Sequence, residues 1–293
     1  MNKTFGIAVL AVIMTSACVG QGGGVIQNVL TIDVVKGGIE DMTIQAKVPE
    51  FARANGDFNW QLVSEPVITV KEFGIEVIDR CQFVNKTPDS LALPEIRANN
   101  TQIFTMTYHT PQVEFERPCP VSFKATYTSN ATMSTTVAVL QEVEYMQRKA
   151  AGKLDEIPIR TFTSRNPLQL TVSWGPYGQP LLHGSANQLY IDYSNAGTGT
   201  IARLEPGQVV IQVPANMGND INCDDYSKSA AWGNGDRTLT LSKQLDFLRK
   251  EAKRSTCTFI ANASQPIDSQ SLAITATYRY QLEGTVSIPL VAR

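Results

Sequence analysis

Hydrophobic and polar residues alternate along most of the chain in short segments, the period of a β-strand with one buried face. In the first half these segments cover residues 29–36, 42–48, 58–63 and 103–108, with a broken run over 67–78. In the second half they cover 168–174, 189–193, 209–213 and 239–241. Because short strands separated by turn residues are typical of β-sandwiches, we predict a mainly β protein of two tandem immunoglobulin-like domains. The likeness is architectural, since Trp60 precedes Cys81 rather than following it.

Two segments have the period of a helix instead. Over 141–156, "QEVEYMQRKAAGKLDE", apolar residues recur at intervals of three or four, which predicts a helical linker at 141–158. The segment 244–253, "QLDFLRKEAK", predicts one minor helix, with Ser242 as its N-cap and basic residues near its C-terminal end.

The two halves of the chain resemble each other. "FKATY" at 123–127 and "ITATY" at 274–278 each follow a cysteine and precede a second alternating run, at 135–140 and 285–290. Each set predicts a strand–turn–strand pair that closes a domain. We therefore expect β-sandwich domains at 28–140 and 159–293.

The N-terminal segment predicts export. A basic start, Met1 to Thr4, precedes the uncharged run "FGIAVLAVIM" at 5–14. That run is shorter than the roughly 20 residues that span a bilayer and fits a signal peptide over 1–17. A Gly-rich tether at 18–27 follows and begins with Cys18.

"SAC" at 16–18, followed by glycines, resembles the lipobox of prokaryotic lipoproteins. The resemblance implies that Cys18 becomes the N-terminus and carries lipid on its sulfur, which places the protein on the outer face of the cell membrane. Thr15 departs from the pattern, since leucine is usual there. A plain secretory signal cleaved near Ala17 and an uncleaved anchor are the alternatives. With the "LYIDYSNAG" segment at 189–197, the chain resembles small envelope lipoproteins with adhesion-type modules, and archaeal ones are favoured.

The other four cysteines divide evenly between the halves, as Cys81, Cys119, Cys223 and Cys257. No C-x-x-C spacing occurs and the chain has two histidines, which excludes the usual zinc motifs. In an exported protein we expect two disulfides, for which three connectivities are possible and local pairing is the simplest. Buried reduced thiols are the alternative.

Two further kinds of site are suggested by polar residues. Oxygen ligands for Ca²⁺ could come from Asp220, Asp224, Asp225 and Asp236, although their spacing is not that of an EF-hand and a polar loop is the alternative. Sequons for N-glycosylation occur at Asn85, Asn99, Asn130 and Asn262.

Composition and motifs limit the function. Charged residues are 18% of the chain, the net charge is −2, and no basic block indicates nucleic-acid binding. No P-loop, G-x-G-x-x-G or G-x-S-x-G motif occurs, so we do not expect an enzyme. We predict a non-catalytic envelope protein that presents β-sandwiches to a protein or glycan, without a cofactor unless Ca²⁺ binds. An envelope enzyme or solute-binding protein with a cleft between the domains, and a surface-filament subunit built by strand exchange, are the alternatives.

Overall fold

The structure, a computed structural model, describes residues 29–35, 39–176, 178–218, 220–228 and 237–292. Strands dominate the described chain, so the prediction of a mainly β protein is confirmed. Cys18 and its tether, and Asp236 of the calcium prediction, lie outside the described residues.

The first strands lie before the helix. They are β1 (Val29–Val35), β2 (Met42–Pro49), β3 (Ala52–Arg53), β4 (Asp57–Pro66), β5 (Val70–Asp79), β6 (Val84–Asn85), β7 (Ser90–Ile96), β8 (Gln102–His109) and β9 (Arg117–Leu140).

The helix and the remaining strands follow. They are α1 (Glu142–Ala150), β10 (Thr161–Thr163), β11 (Leu168–Trp174), β12 (Leu181–Leu182), β13 (Ala186–Asn195), β14 (Arg203–Leu204), β15 (Val209–Gln212), β16 (Asn222–Cys223), β17 (Tyr226–Lys228), β18 (Thr238–Leu241), β19 (Leu245–Leu248), β20 (Glu251–Ala252), β21 (Ser255–Ile260) and β22 (Ile267–Val291). Short 3₁₀ turns occur at Leu154–Glu156 and Ala215–Met217.

The described chain forms two compact units. Unit 1 contains residues 29–35, 42–125 and 282–292, and unit 2 contains 39–41 and 126–281. The predicted division at 141–158 does not coincide with these units. The chain changes unit within β9, after Ala125, and again within β22, after Gln281.

Unit 1 is a sandwich of two sheets. One sheet has the order β1-β2-β4-β8-β6, and the other contains β5, β7 and the unit 1 portions of β9 and β22. Trp60 of β4 stacks on Tyr108 of β8 at a ring-centroid distance of 6.3 Å and contacts Phe123 of β9 at 6.5 Å. Since all three side chains are fully buried, the core of this unit is an aromatic layer between the two sheets.

Unit 2 is also built from two sheets. One has the order β17-β18-β15-β22-β9, with β10 and β12 paired to β9, and the other has the order β14-β19-β20-β13-β21-β16, with β11 paired to β13. Inward side chains from both sheets are buried, such as Ile211 and Ile274 from the first and Leu170 and Ile191 from the second. The predicted sandwich architecture is confirmed in this half as well.

Two long strands replace the predicted strand–turn–strand pairs, and that part of the prediction is wrong. β9 is one strand of 24 residues and β22 one of 25. Buried and partly exposed positions keep alternating through Ser129, Asn130 and Ala131, where we expected a turn. Asn130 stays within the strand, where β9 pairs with β22, and its side-chain oxygen accepts a hydrogen bond from Thr277 Oγ1 at 2.8 Å.

A helix is present within the predicted linker, at Glu142–Ala150, and lies within unit 2. None of its residues is fully buried. Tyr145 packs on Leu140 and Ile157 at the edge of the core. Gly152, at φ +66°, follows the end of the helix.

The predicted minor helix at 244–253 is wrong. The segment is a hairpin of β19 and β20, in which Phe247 pairs with Ala252 and the turn passes through Arg249 at φ +66°. Leu245 is buried and pairs with Leu204 of β14. Long-range strand pairing thus overrides the weak helix propensity of the segment.

Candidate functional site

The lipid-anchor prediction concerns Cys18 and stays a prediction, because that residue is outside the described part of the chain. Among the residues that the structure describes, no helix is both long and apolar enough to cross a membrane.

The four downstream cysteines form two disulfides with the local pairing. Cys81 joins Cys119 in unit 1, with 5.7 Å between their Cα atoms. Cys223 joins Cys257 in unit 2, where the two residues lie directly opposite each other on β16 and β21. Cys119, Cys223 and Cys257 are buried. Each disulfide therefore links residues within one unit.

The aspartates that were predicted to bind calcium differ in their exposure and in their contacts. Asp220 is exposed and lines a groove on unit 2, while Asp225 is buried. Asp224 accepts a hydrogen bond through its backbone oxygen from Lys243. Within the described ranges, no three His, Cys, Asp or Glu side chains are grouped so that they could hold a metal ion. Calcium binding thus stays a prediction, and the described residues supply no set of ligands for it.

Asp225 already has cationic partners. Its Oδ1 lies 3.7 Å from Lys253 Nζ and 3.8 Å from Lys243 Nζ, and its Oδ2 accepts a hydrogen bond from Ser255 Oγ. The neighbouring Tyr193 is buried, which raises the pKa of its hydroxyl to about 12. The negative charge of this carboxylate is therefore already balanced in part by two ammonium groups within 4 Å.

A groove of about 570 Å³ lies on unit 2. The polar residues of its lining are Asn187, Gln188, Asp220 and Thr258, and its exposed apolar residue is Ile260, whereas Phe259 is buried against Trp174. β13 and β21 pair at this point, so that Gln188 lies directly opposite Thr258 and Asn187 opposite Phe259. The pairing of two strands distant in sequence therefore builds the groove.

The loop at 175–180 closes one side of the groove through Gly175, Pro176 and Gly178. Gly175 is held beside β13, because its backbone N–H donates a hydrogen bond to the Gln188 oxygen at 2.8 Å. Ile260 is 49% exposed, which leaves apolar surface open to a ligand. Asn187 is held by two hydrogen bonds from its Nδ2, to the backbone oxygen and the hydroxyl of Ser185 at 2.9 and 3.0 Å.

A second cluster of polar groups lies inside unit 2 and was not predicted. Asp41 is 2% exposed, and its Oδ1 accepts a hydrogen bond from Asn166 Nδ2 at 2.8 Å. Its Oδ2 accepts one from the hydroxyl of the buried Tyr278 at 2.7 Å. Burial raises the pKa of the Asp41 carboxyl, and the hydrogen bonds from Tyr278 and Asn166 oppose that rise.

The adjacent Glu40 is 5% exposed and is enclosed by the loop that follows β13. Its Oε1 accepts hydrogen bonds from the backbone N–H and the hydroxyl of Thr198 and from the hydroxyl of Tyr280. Gly199 N–H in turn donates to the Tyr280 hydroxyl at 2.7 Å. The "NAGTG" loop at 195–199 thus holds a buried carboxylate.

Three polar atoms in this cluster have no hydrogen-bond partner among the described residues: Glu40 Oε2, Ser129 Oγ and the hydroxyl of Tyr127. Burial, and the nearby carboxyl of Asp41, raise the pKa of Tyr127 well above its ordinary value. Both carboxylates are closed off from solvent, so the cluster is built to hold the segment 39–41 rather than to meet a substrate.

The sequence offered little sign of this cluster. Glu40 and Asp41 follow Gly37-Gly38, where we expected a polar turn. "ATY" at 125–127 and 276–278 was noted as a repeat, and the structure brings Tyr127 and Tyr278 into one cluster. The repeated "ATY" was therefore the one feature of the sequence that pointed to this cluster.

The four sequon asparagines lie in different settings. Asn99 is in the exposed turn between β7 and β8, and Asn130 is in the middle of β9. Asn85 is part of β6, and Asn262 follows β21. All four asparagines match the same glycosylation motif, so only their structural surroundings distinguish one from another.

Comparison with known proteins identifies no family. No protein-family model and no curated protein matches the chain. Among solved structures, it is similar to the C-terminal globular domain of an oligosaccharyltransferase from Pyrococcus abyssi, with 10% identity, a TM-score of 0.23, and coverage of 90% of this chain and 53% of that one. This chain spans about half the length of that structure, and a TM-score this low does not establish a common fold.

The fold and the sites define a class. The protein is a β-sandwich protein of two compact units, with one disulfide in each and an open groove of mixed polar and apolar lining in the second.

Proposed function

We propose that the protein is an exported, lipid-anchored and non-catalytic surface protein that binds a glycan in the groove of unit 2. The observation that carries the proposal is the groove itself, whose lining combines the polar residues Gln188, Asp220 and Thr258 with the partly exposed Ile260.

The size of the groove favours a small or chain-like ligand over a protein partner. A volume of about 570 Å³ is within the usual range for sites that bind small molecules. A stable protein interface instead needs about 800 Å² on each partner. An oligosaccharide can enter such a groove, whereas a broad protein surface cannot follow its walls.

The chemistry of the lining favours a hydroxyl-rich ligand. Gln188 can offer its Nε2 as a donor, since its Oε1 accepts a hydrogen bond from the Tyr190 hydroxyl, and Thr258 adds a hydroxyl. Asp220 is the charged side chain among the lining residues, and it can accept hydrogen bonds from two sugar hydroxyls. Ile260 and Pro176 offer apolar surface to the C–H face of a sugar ring.

Export is supported by the leader and by the cysteines. The run at 5–14 followed by Cys18 has the form of a signal peptide with a lipidated cysteine. The two disulfides are typical of proteins in an oxidising compartment outside the cytosol. A diacyl anchor at Cys18 would give stable attachment, because two acyl chains are generally needed for it.

A glycan array followed by calorimetry tests the proposal. We expect Gln188→Ala and Asp220→Ala each to weaken binding of an array-selected oligosaccharide by roughly 2- to 12-fold, the loss of one hydrogen bond. Thr171→Ala is the matched control, since Thr171 is exposed on β11 of the same sheet but does not line the groove. Equal effects of all three substitutions, or binding only to a protein partner, would contradict the proposal.

The anchor has its own test. Mass spectrometry of the N-terminal peptide from membrane extracts should find a chain that begins at Cys18 and carries the mass of a lipid. A chain that begins at Cys18 without added mass would refute the anchor and leave secretion.

A further inference from the structure

N-glycosylation requires more than a sequon. The side-chain amide of the asparagine must reach the transferase, and the hydroxyl at the second following position must be free to assist recognition. Both requirements favour an exposed turn over a strand whose backbone and side chains are committed. The four sequons of this chain differ in these respects.

The sequon at Asn99 meets them. Asn99 is at the tip of the exposed turn between β7 and β8, and all residues from Arg97 to Thr101 are exposed. The backbone of the turn is fixed, because Asn99 N–H donates to the Pro66 oxygen at 2.8 Å and Asn100 N–H to the Arg97 oxygen at 3.1 Å. A φ of +58° at Asn99 directs the turn, and asparagine tolerates that conformation better than most residues.

The sequon at Asn85 is committed to local structure. Asn85 is half-buried, and its side-chain oxygen accepts a hydrogen bond from Thr87 N–H at 3.0 Å. The hydroxyl that the sequon requires, Thr87 Oγ1, accepts a hydrogen bond from Thr107 N–H at 2.9 Å.

The remaining two sequons are committed as well. Asn130 is in the middle of a 24-residue strand and accepts a hydrogen bond from Thr277, as described above. In the sequon of Asn262, the hydroxyl of Ser264 donates to Asp268 Oδ2 at 2.9 Å, and Ala263 N–H donates to His183 Nδ1 at 2.9 Å. Each of these segments would have to leave its hydrogen bonds to enter a transferase.

We propose that Asn99 is the N-glycan acceptor of this protein. The donor is a lipid-linked oligosaccharide phosphate, and an oligosaccharyltransferase of the envelope is the catalyst. The Asn99 Nδ2–C1 bond to the sugar forms while the C1–O bond to the lipid phosphate breaks. The phosphate leaves with the electron pair, and the amide nitrogen gives one proton to a base of the transferase.

The proposal rests on the proposed export, and one experiment separates the two. The full chain is produced in its native host, and its peptides are analysed by mass spectrometry with and without enzymatic deglycosylation. We expect a glycan on the peptide that contains Asn99. Thr101→Ala, which leaves the positive-φ asparagine in place, should abolish the glycan, and Thr101→Ser should retain it. Thr132→Ala, which breaks the sequon of Asn130, is the matched control and should change nothing.

The N-terminal peptide distinguishes the possible failures. An unmodified Asn99 in a chain that begins at Cys18 overturns the glycosylation proposal and leaves export standing. A glycan on Asn130 or Asn262 with Asn99 unmodified overturns it as well. A chain that still begins at Met1 and carries no glycan overturns both proposals.

Discussion

Two buried tyrosines in unit 2 should respond differently to substitution by phenylalanine, as measured by the free energy of unfolding. Tyr278 donates a hydrogen bond to Asp41 Oδ2 at 2.7 Å, whereas the hydroxyl of Tyr127 has no partner among the described residues. Both side chains are fully buried. Tyr278→Phe keeps the ring and removes the hydroxyl, so Asp41 loses a donor in a buried site. We expect a loss of about 1–3 kcal/mol in the free energy of unfolding.

Tyr127→Phe is the matched control. It also keeps the ring, including the edge contact with Tyr280 at a centroid distance of 5.5 Å. Because the hydroxyl that it removes is buried without a partner, we expect a change within about 0.5 kcal/mol or a small gain in stability.

Urea denaturation and calorimetry measure the difference. The melting temperature should fall by about 2–4 °C for each kcal/mol that is lost. Equal losses for the two variants, or a larger loss for Tyr127→Phe, would refute the assignment of hydrogen bonds in the cluster.

Three further predictions concern the same unit. Because burial raises the pKa of Asp41 above its unfolded value of 3.8, its contribution to stability is complete below that pH and is lost as pH rises through the folded pKa. Asp41→Asn should therefore gain stability relative to wild type as the pH rises above about 4 in urea denaturation, and a parallel pH profile would contradict this. Gly197→Ala would drive a Cβ into the Tyr280 hydroxyl and to 2.9 Å from Glu40 Oε1, and denaturation should show a cost of about 1–3 kcal/mol; an unchanged midpoint would argue against the enclosing loop. A chelator should leave the melting temperature unchanged, since Asp225 already contacts two lysines, and a clear fall would instead restore the calcium site.

Local alternation predicted much of the fold because each short strand has one face in a core. β2 and β11 were located within a residue or so from that pattern alone. The disulfides followed from the division of the cysteines between the halves. In each case the information was carried by residues close together in the chain.

The prediction was wrong where distant partners decide the structure. Turn-forming residues near Asn130 remain in a strand because β22 pairs alongside, and 244–253 forms a hairpin because β14 pairs with Leu245. The partners of Asp41 are more than a hundred residues away, at Asn166 and Tyr278. No local spacing encodes such contacts.

The candidate groove was beyond sequence analysis for the same reason. Gly175 and Pro176 were recognised as a break in the strand pattern, but not as a wall of a site. Asp220 was assigned to a calcium loop. Its position beside Gln188 and Thr258 depends on the pairing of β13 with β21, which is a long-range contact.

Hydrogen–deuterium exchange with a bound glycan tests the central claim most directly. We predict that an array-selected oligosaccharide slows exchange in the peptides that cover 186–190 and 258–260, which line the groove. Exchange in β11 around Thr171 should be unchanged. Protection confined to other parts of the chain, with no change at 186–190 and 258–260, would contradict the assignment of the groove as the glycan site.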